Sequence, residues 1–377
     1  MFSGAGRRER LLAIDAARGI ALLLMVLSHF GSTYFRTADT QRWAAILVAI
    51  GMVATPTFVV VSGFLAGFLY RSADDQFVQI RLRMIDRGFF LLVVVHGLVT
   101  LALFPTHHAI MISMSTDAIG MALIAGPLMI PHVKGRTRLA LGAAAYVFSW
   151  LVAVSWAPTG PAMVFIEKIT LGNLAQPTFP MVPWFGVYLA SSVYGETFAT
   201  RHRGPGRPSA YGLGIAGMVM IVVVLMTKLL TITALLNPKT ALAAEKLHNV
   251  FRIGQKGPPG PGYLLFYGGS ALCLLTLCLN WERWGLHRRW LAAAAAWGQA
   301  SLAIFVVNFY VFWLAVYYFT PSSLLLAPLY LAGAIVLLTW VALAWRRWEG
   351  NRFTTVGVGP LTEAALLTRK RWTLSPT

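Results

Sequence analysis

The sequence predicts an all-α integral membrane protein, with about ten transmembrane helices in one bundle and both termini in the cytoplasm. The chain of 377 residues is 57% hydrophobic and only 12% charged, and its mean hydropathy is +0.67, outside the usual balance of a soluble domain. Apolar runs of about 20 residues, enough to cross a hydrocarbon core ~30 Å thick, recur along nearly the whole length. Lys and Arg collect in alternate short loops, which is the pattern of the positive-inside rule.

Ten spans are predicted in chain order, at residues 12–35, 43–70, 87–104, 109–130, 137–156, 177–198, 209–236, 262–281, 291–319 and 323–345. Each is expected to be a helix, because an open sheet edge cannot satisfy its backbone groups in lipid and no barrel-like alternation is present. Together they form one membrane domain, residues 1–349. The basic, Trp-containing remainder, residues 350–377, is expected to be a cytoplasmic tail on the membrane surface.

The loops that join the spans predict the orientation. Basic segments stand before span one and after spans two, four, six, eight and ten: RRER, RLRMIDR, KGRTR, RHRGPGR, ERWGLHRR and RRWEGNR. All fall on one side, which is expected to be the cytoplasm. The longest loop on the opposite side, residues 237–261, is expected to cap the extracytoplasmic face.

The net charge of +18 is explained by these loops, so no nucleic-acid partner is expected. Cys273 and Cys278 lie in one apolar run, where reduced packing residues are expected. The predicted location is the lipid bilayer of a bacterial cytoplasmic membrane. The sequence leaves the oligomeric state open, a homo-oligomer included.

Span one carries three ionisable residues, Asp15, Arg18 and His29, although a charge at membrane depth costs roughly 2.5–3.5 kcal/mol on insertion scales. Helical geometry places Arg18 and His29 about 20° apart on one face and ~16 Å apart along the axis, with Asp15 within about 60° of both. They therefore form a stripe from the cytoplasmic end to near mid-membrane, as expected of a polar cavity. The alternative is an interfacial ion pair and a histidine that bonds a neighbouring helix.

Four segments resemble those of known membrane enzymes. RLLAIDAARGIALLLMVLSH (10–29) combines an Asp-x-x-Arg-Gly start with a histidine that follows Arg18 after ten residues. The later segments are ATPTFVVVSGFLAGFLYR (54–71), FPMVPWFGVYLASSVYGE (179–196) and KGPPGPGYLLFYGGSALCLL (256–275). In this order they resemble the membrane-bound acyltransferases, both the acyltransferase family 3 proteins and the heparan-alpha-glucosaminide N-acetyltransferase-like proteins.

The chain departs from these families at two places. In residues 297–313 the families often carry a histidine, whereas Asn308 stands in that region here. The extracytoplasmic His-containing loop of the lysosomal glucosaminide enzyme has no counterpart near residues 36–43. The acceptor of that enzyme is therefore not carried over.

The resemblance implies transfer of an acyl group, commonly acetyl, from cytoplasmic acyl-CoA to a hydroxyl or amine of a sugar or glycoconjugate. Acetyl-CoA would be a donor co-substrate, with no cofactor bound permanently. His29 is the candidate base or acyl acceptor, because a neutral imidazole can take either the proton or the acyl group. Arg18 would bind a CoA phosphate or stabilise the oxyanion, and Asp15 would orient Arg18.

Further donor-side candidates lie within span two and in the basic segment that follows it. Arg81, Arg83 and Arg87 face the same cytoplasmic entrance and are candidates to hold the CoA phosphates, although ordinary loop charge is the better explanation for at least one of them. Ser62 is a candidate hydrogen-bond donor to the thioester. Close helix packing at Ser62 and Gly63 is the alternative.

Asp117 is a second acid within a span, ~12 Å deep and near the depth estimated for His29. It is expected either to pair with His29 or contact the acceptor, or to form a structural pair with Lys228 of span seven. His96 in span three is expected to be a core histidine with satisfied hydrogen bonds.

The acceptor side holds another group of candidates. Trp184 is expected either to stack on a sugar or to anchor its helix at the interface. His107, His108 and His248 are extracytoplasmic candidates for acceptor contact. They lack metal-ligand spacing, and no metal is predicted.

A transporter or flippase is the alternative from another functional class. Asp15, Arg18, His29, Asp117 and Lys228 would then line a permeation or proton-relay path. The acyltransferase interpretation is preferred because the Arg18-to-His29 spacing occurs together with the later segments, and because no halves related by a repeat are evident.

Overall fold

The structure is a computed structural model that describes residues 11–35, 37, 40–73, 76–104, 113–173, 178–202, 210–235, 241–285, 288–319 and 324–357. Within these ranges the regular structure is helical and contains no strand. The predicted fold class, an all-α membrane protein, is thereby confirmed. The number of spans and the side of the termini stay predictions.

The first half of the chain forms nine helices in the described ranges: α1 Leu12–Tyr34, α2 Gln41–Gly51, α3 Ala54–Ala73, α4 Phe77–Phe90, α5 His96–Leu103, α6 Ser115–Met129, α7 Gly135–Ser155, α8 Pro161–Thr170 and α9 Met181–His202. The described part of the second half adds α10 Tyr211–Leu235, α11 Ala241–Val250, α12 Pro261–Tyr263, α13 Gly269–Trp284, α14 Arg288–Gln299, α15 Ser301–Phe309, α16 Ala315–Phe319 and α17 Ala327–Arg347. Three π-helical segments join α4 to α5, α12 to α13 and α15 to α16: Leu91–Val95, Leu264–Gly268 and Tyr310–Leu314.

Each of the ten predicted spans overlaps helix in this structure. Among the described residues, seven helical segments are long and apolar enough to cross a membrane. An eighth candidate is Arg289–Gln299 with Ser301–Leu314, a pair bent by 66°. The other two predicted spans fall on α6, which is apolar but has 15 residues, and on α9, which is not among those seven segments.

The predicted second span is divided where α2 meets α3. Tyr263 lies on α12, and its hydroxyl donates a hydrogen bond of 2.9 Å to the carbonyl of Met52 at this junction. The Thr57 hydroxyl donates 2.8 Å to the carbonyl of Val53. The carbonyl of Val53 also accepts the backbone N–H of Thr57. The Tyr263 hydroxyl thus supplies a partner for a carbonyl at a helix junction, which matters because lipid offers none.

Close backbone contact fixes α1 against α14. A Cβ atom at Gly19 would lie 1.8 Å from the carbonyl oxygen of Ala294, and one at Gly298 would lie 1.7 Å from that of Asp15. Only glycine permits this approach, as in other small-residue helix crossings. The start of α1 is further held by Glu282, whose carboxylate accepts the backbone N–H groups of Leu12 and Ala13. Asp15 therefore occupies a fixed position beside α14.

Candidate active site

A cavity of about 1120 Å³ lies among α1, α3, α4, α6 and α15 and the segment that follows α17. The lining residues of α3 recur every three or four positions and form one face of the helix: Thr55, Phe58, Ser62, Leu65 and Leu69. From Thr55 to Leu69 the cavity follows α3 for ~21 Å. It therefore extends along most of the length of α3.

Five of the predicted site residues line this cavity, namely Asp15, Arg18, Ser62, Arg83 and Arg87. The structure thus brings together the start of α1, the middle of α3 and one face of α4. Arg81 is not among the lining residues, because it lies on another face of α4 than Arg83 and Arg87.

One end of the cavity is rich in charge. Its arginines are Arg18, Arg83, Arg87, Arg346 and Arg352, and its acids are Asp15, Asp86 and Glu349. The acids are engaged with protein groups: Asp15 accepts from the Gln299 amide at 3.4 Å, Asp86 accepts the backbone N–H of Val356 at 3.2 Å, and Glu349 pairs with Arg352. The net positive charge of this end suits a phosphorylated ligand.

His29 lies beyond the other end of the cavity and is not one of its lining residues. It is half-buried, and its ring lies 5.0 Å from the ring of Phe309 and 4.4 Å from that of Trp313. The ring of Phe305, which does line the cavity, lies 5.1 Å from that of Phe309. In this structure the two phenylalanine rings therefore separate the cavity from the imidazole.

His29 lies in the second half of α1. The helix runs from Leu12 to Tyr34, and His29 is five residues from its far end. It lies ~9 Å beyond the midpoint of the helix.

The hydrogen-bond partner of His29 is Asn308 on α15. The Asn308 amide nitrogen lies 2.5 Å from Nδ1 of His29. Asn308 is fully buried, and its Oδ1 atom has no hydrogen-bond partner in the described part of the chain. From the sequence, Asn308 was noted only as a departure from a family pattern. Its contact with His29 could not be predicted, because 279 residues separate the two and no periodicity relates them.

Lys256 brings a positive charge to the same region. It lies in the loop before α12, interacts electrostatically with His29, and places its Nζ atom 5.1 Å from the ring centre of Phe179. Burial lowers the pKa of Lys256 to about 8. Its loop is held by the Tyr146 hydroxyl, which donates to the carbonyl of Pro259 at 3.0 Å. In the sequence Lys256 begins the segment KGPPGPG, which resembles a family segment but did not indicate that Lys256 belongs to the site.

Asp117 has a different partner from those expected. Both of its carboxylate oxygens lie 3.0 Å from Nδ1 of His96, and one accepts the backbone N–H of Met114 at 2.8 Å. The expected pairings with His29 or Lys228 are therefore wrong in this structure. His96 is, as expected, hydrogen-bonded within the bundle. Asp117 directly follows two cavity-lining residues, Ser115 and Thr116.

Trp184 is fully buried and packs edge-on against Tyr263, with ring centres 6.3 Å apart. Neither a sugar-stacking surface nor an interfacial anchor fits this position, because the indole has no exposed face. His248 lies on α11, and its Nδ1 atom has no partner among the described residues. His107 and His108 lie outside the described residues.

The model of the heparan-alpha-glucosaminide N-acetyltransferase catalytic family matches residues 10–232, more than half of the chain. The chain belongs to this family. A comparison with curated proteins found no match. The protein is thus an N-acetyltransferase-like, multi-pass membrane protein, and the resemblance stated from the sequence is confirmed.

In this heparan-alpha-glucosaminide N-acetyltransferase-like chain, the matched region contains Asp15, Arg18, His29 and the cavity faces of α3, α4 and α6. Lys256 and Asn308 lie outside the matched region, yet both interact with His29. The site is consequently assembled from both parts of the chain.

Proposed function

We propose that the protein transfers an acyl group, most simply acetyl, from cytoplasmic acyl-CoA to a hydroxyl or amine of a sugar or glycoconjugate on the extracytoplasmic side. The observation that carries this proposal is the cavity, which joins an arginine-rich end to the aromatic pair beside His29. Family membership supports acetyl transfer. The bilayer is proposed to be a bacterial cytoplasmic membrane, where acyl-CoA is available on the side of the basic loops.

The charged end of the cavity is the proposed donor site. Arg18, Arg83 and Arg87 project from two helices into one space and would bind the phosphates of CoA by charge-assisted hydrogen bonds. The volume, about 1120 Å³, is slightly above the ~300–1,000 Å³ usual for ligand pockets, which suits a ligand as large as a nucleotide thioester. Ser62 on α3 also lines the cavity and would donate a hydrogen bond to the thioester.

His29 is the proposed base. The Asn308 amide can present either its nitrogen or its oxygen to Nδ1, since the two ends have the same shape. With the oxygen facing the ring, Nδ1–H donates to Asn308 and Nε2 holds the lone pair that a base needs. This arrangement also gives Oδ1, otherwise unpartnered among the described residues, a hydrogen bond.

The proposed reaction follows from these groups. The acceptor oxygen or nitrogen attacks the acyl carbonyl carbon while Nε2 of His29 takes its proton. The ammonium of Lys256 stabilises the negative charge that develops on the carbonyl oxygen. The C–S bond then breaks, and the CoA sulfur leaves with the proton from the imidazolium. In the other order that the residues allow, Nε2 attacks the acyl carbon, the C–S bond breaks and CoA leaves as the thiolate. The acceptor then attacks the acyl-imidazolium, the acyl C–N bond breaks to restore the neutral imidazole, and the acceptor's proton passes to the thiolate.

Phe305 and Phe309 lie between the cavity and His29, so the thioester reaches the imidazole only when their side chains change rotamer. Asp117 is held by His96 and Met114, and we assign it no direct step. His107 and His108 are proposed only as extracytoplasmic contacts of the acceptor.

The proposal is tested by calorimetric binding of acetyl-CoA to the detergent-purified protein, together with CoA release in the presence of amino sugars as probe acceptors. His29→Ala is expected to bind acetyl-CoA like the wild type and to lose CoA release. Arg18→Ala is expected to weaken binding. Folded wild-type protein that binds no acetyl-CoA would contradict the proposal and favour the transporter, and full turnover by His29→Ala would exclude His29 as base.

A further inference from the structure

The chain does not leave the bundle where α17 ends. After Arg347 it turns through a short 3₁₀ helix, Gly350–Phe353, and lies across the charged end of the cavity. Five residues of this segment line the cavity, namely Glu349, Asn351, Arg352, Thr354 and Thr355, and Trp345 and Arg346 in the last turn of α17 line it as well. The sequence predicted a surface tail from residue 350, whereas residues 350–357 pack against the bundle and residues 358–377 lie outside the described part.

Hydrogen bonds to three helices anchor this segment. The Thr355 hydroxyl and the Val356 N–H donate to the buried carboxylate of Asp86 on α4. The Asn351 amide donates to the carbonyl of Gln299, at the end of α14, at 3.1 Å. Trp345 on α17 donates from its indole N–H to Asn351 at 3.1 Å. A buried carboxylate is costly unless it is paired, so these contacts show a docked segment and not a solvated tail.

Two arginines at this end of the chain line the cavity in different states, Arg346 on α17 and Arg352 on the segment after it. Arg352 is paired with Glu349. Arg346 and, on α4, Arg83 have no acidic partner among the described residues, and both are exposed. The adjacent Arg347 is equally exposed but does not line the cavity. Two such guanidinium groups, from α4 and α17, in the lining of one cavity are suited to bind a phosphorylated ligand.

We propose that the segment after α17 is a wall of the donor site and that Arg346, together with Arg83, binds a phosphate of the nucleotide thioester. This inference rests on the proposed function, since it names further residues of the same donor site. It assigns a binding role to a part of the chain that lies outside the family match.

The matched pair Arg346→Gln and Arg347→Gln tests it, because the two arginines are neighbours on α17 and only the first lines the cavity. Calorimetry on the full-length protein uses acetyl-CoA and S-acetylpantetheine, which lacks the phosphates. Arg346→Gln is expected to bind acetyl-CoA about tenfold more weakly than the wild type, the size of one charge-assisted contact. Arg347→Gln is expected to bind like the wild type, and all three proteins should bind S-acetylpantetheine alike.

The outcomes separate this inference from the proposed function. Equal acetyl-CoA affinity of the two variants, with Arg18→Ala still impaired, overturns the role of Arg346 and leaves the proposed function standing. Equal losses for acetyl-CoA and S-acetylpantetheine in Arg346→Gln also overturn it, because the effect is then not on a phosphate. A folded wild type without acetyl-CoA affinity overturns both. Removal of residues 358–377 should preserve binding, whereas removal of 350–377 should weaken it.

Discussion

The Asn308 amide determines which nitrogen of His29 can act. If the amide nitrogen faces Nδ1, the ring proton is on Nε2. If the amide oxygen faces Nδ1, the proton is on Nδ1 and the lone pair is on Nε2. Asn308 is buried, so its orientation toward the ring is determined by hydrogen bonding and not by solvent. Partners that fix a tautomer in this way affect chemistry more than binding.

Asn308→Leu should therefore lower kcat about 10- to 100-fold, with acetyl-CoA affinity unchanged, because it removes the acceptor for Nδ1–H while keeping the volume. Asn308→Asp keeps an oxygen acceptor and should retain more activity than Asn308→Leu. Steady-state kinetics with calorimetry on the same preparations measures both. If the two folded variants are equally inactive, the oxygen is not the group that His29 needs.

Lys256 gives the site a charge that depends on pH. Burial lowers its pKa from the ordinary value of 10.5 to about 8, so the ammonium is present below pH 8 and is lost as the pH rises through that value. The group that it faces is His29. A role for the ammonium at the carbonyl oxygen predicts that turnover falls above about pH 8.

Lys256→Arg should keep turnover at pH 9 closer to its value at pH 7, because a guanidinium stays charged there. Lys256→Met should be slow at both pH values. Lys246→Arg, an exposed lysine on α11, is the control and should show the wild-type profile. An alkaline decline that is the same in Lys256→Arg and wild type would assign the decline to another group.

At the scale of the elements, hydropathy located the helices, because each apolar run must satisfy its own backbone in lipid. It did not locate the division of the second predicted span near Met52, which depends on a hydroxyl from Tyr263, 211 residues away. It also placed the segment after α17 on the surface. The polar residues of that segment bind Asp86 and Gln299, and composition alone does not distinguish such contacts from solvation.

The sequence also predicted site residues within one helix better than contacts between helices. Asp15, Arg18 and His29 were found from one helix, because a 3.6-residue period relates positions within a helix. The partners of Asp117 and His29 lie on other helices, and no period relates them. For Trp184 the position within one helix was misleading. A Trp at the start of a helix is usual at a membrane interface, but the packing of α9 against α3 and α7 buries Trp184 completely.

At the scale of the whole molecule, the proposed donor site and His29 lie toward opposite ends of α1. Arg18 and His29 are eleven residues apart, ~16 Å along the helix, and the cavity follows α3 for ~21 Å. The arginine-rich end is also the end where the segment after α17 is docked. A donor that enters there must deliver its acyl group toward the other face of the bundle.

This geometry predicts transfer with a fixed direction in proteoliposomes. Acetyl-CoA added to the face that carries the C-terminal segment should acetylate an amino sugar enclosed on the opposite side, and acetyl-CoA enclosed with that sugar should not react. Protease cleavage of a C-terminal tag reports the orientation of each preparation, and His29→Ala vesicles control for leakage. Equal product with both substrates enclosed on the same side would contradict transfer across the bundle, because donor and acceptor would then both reach His29 from the face opposite Arg18.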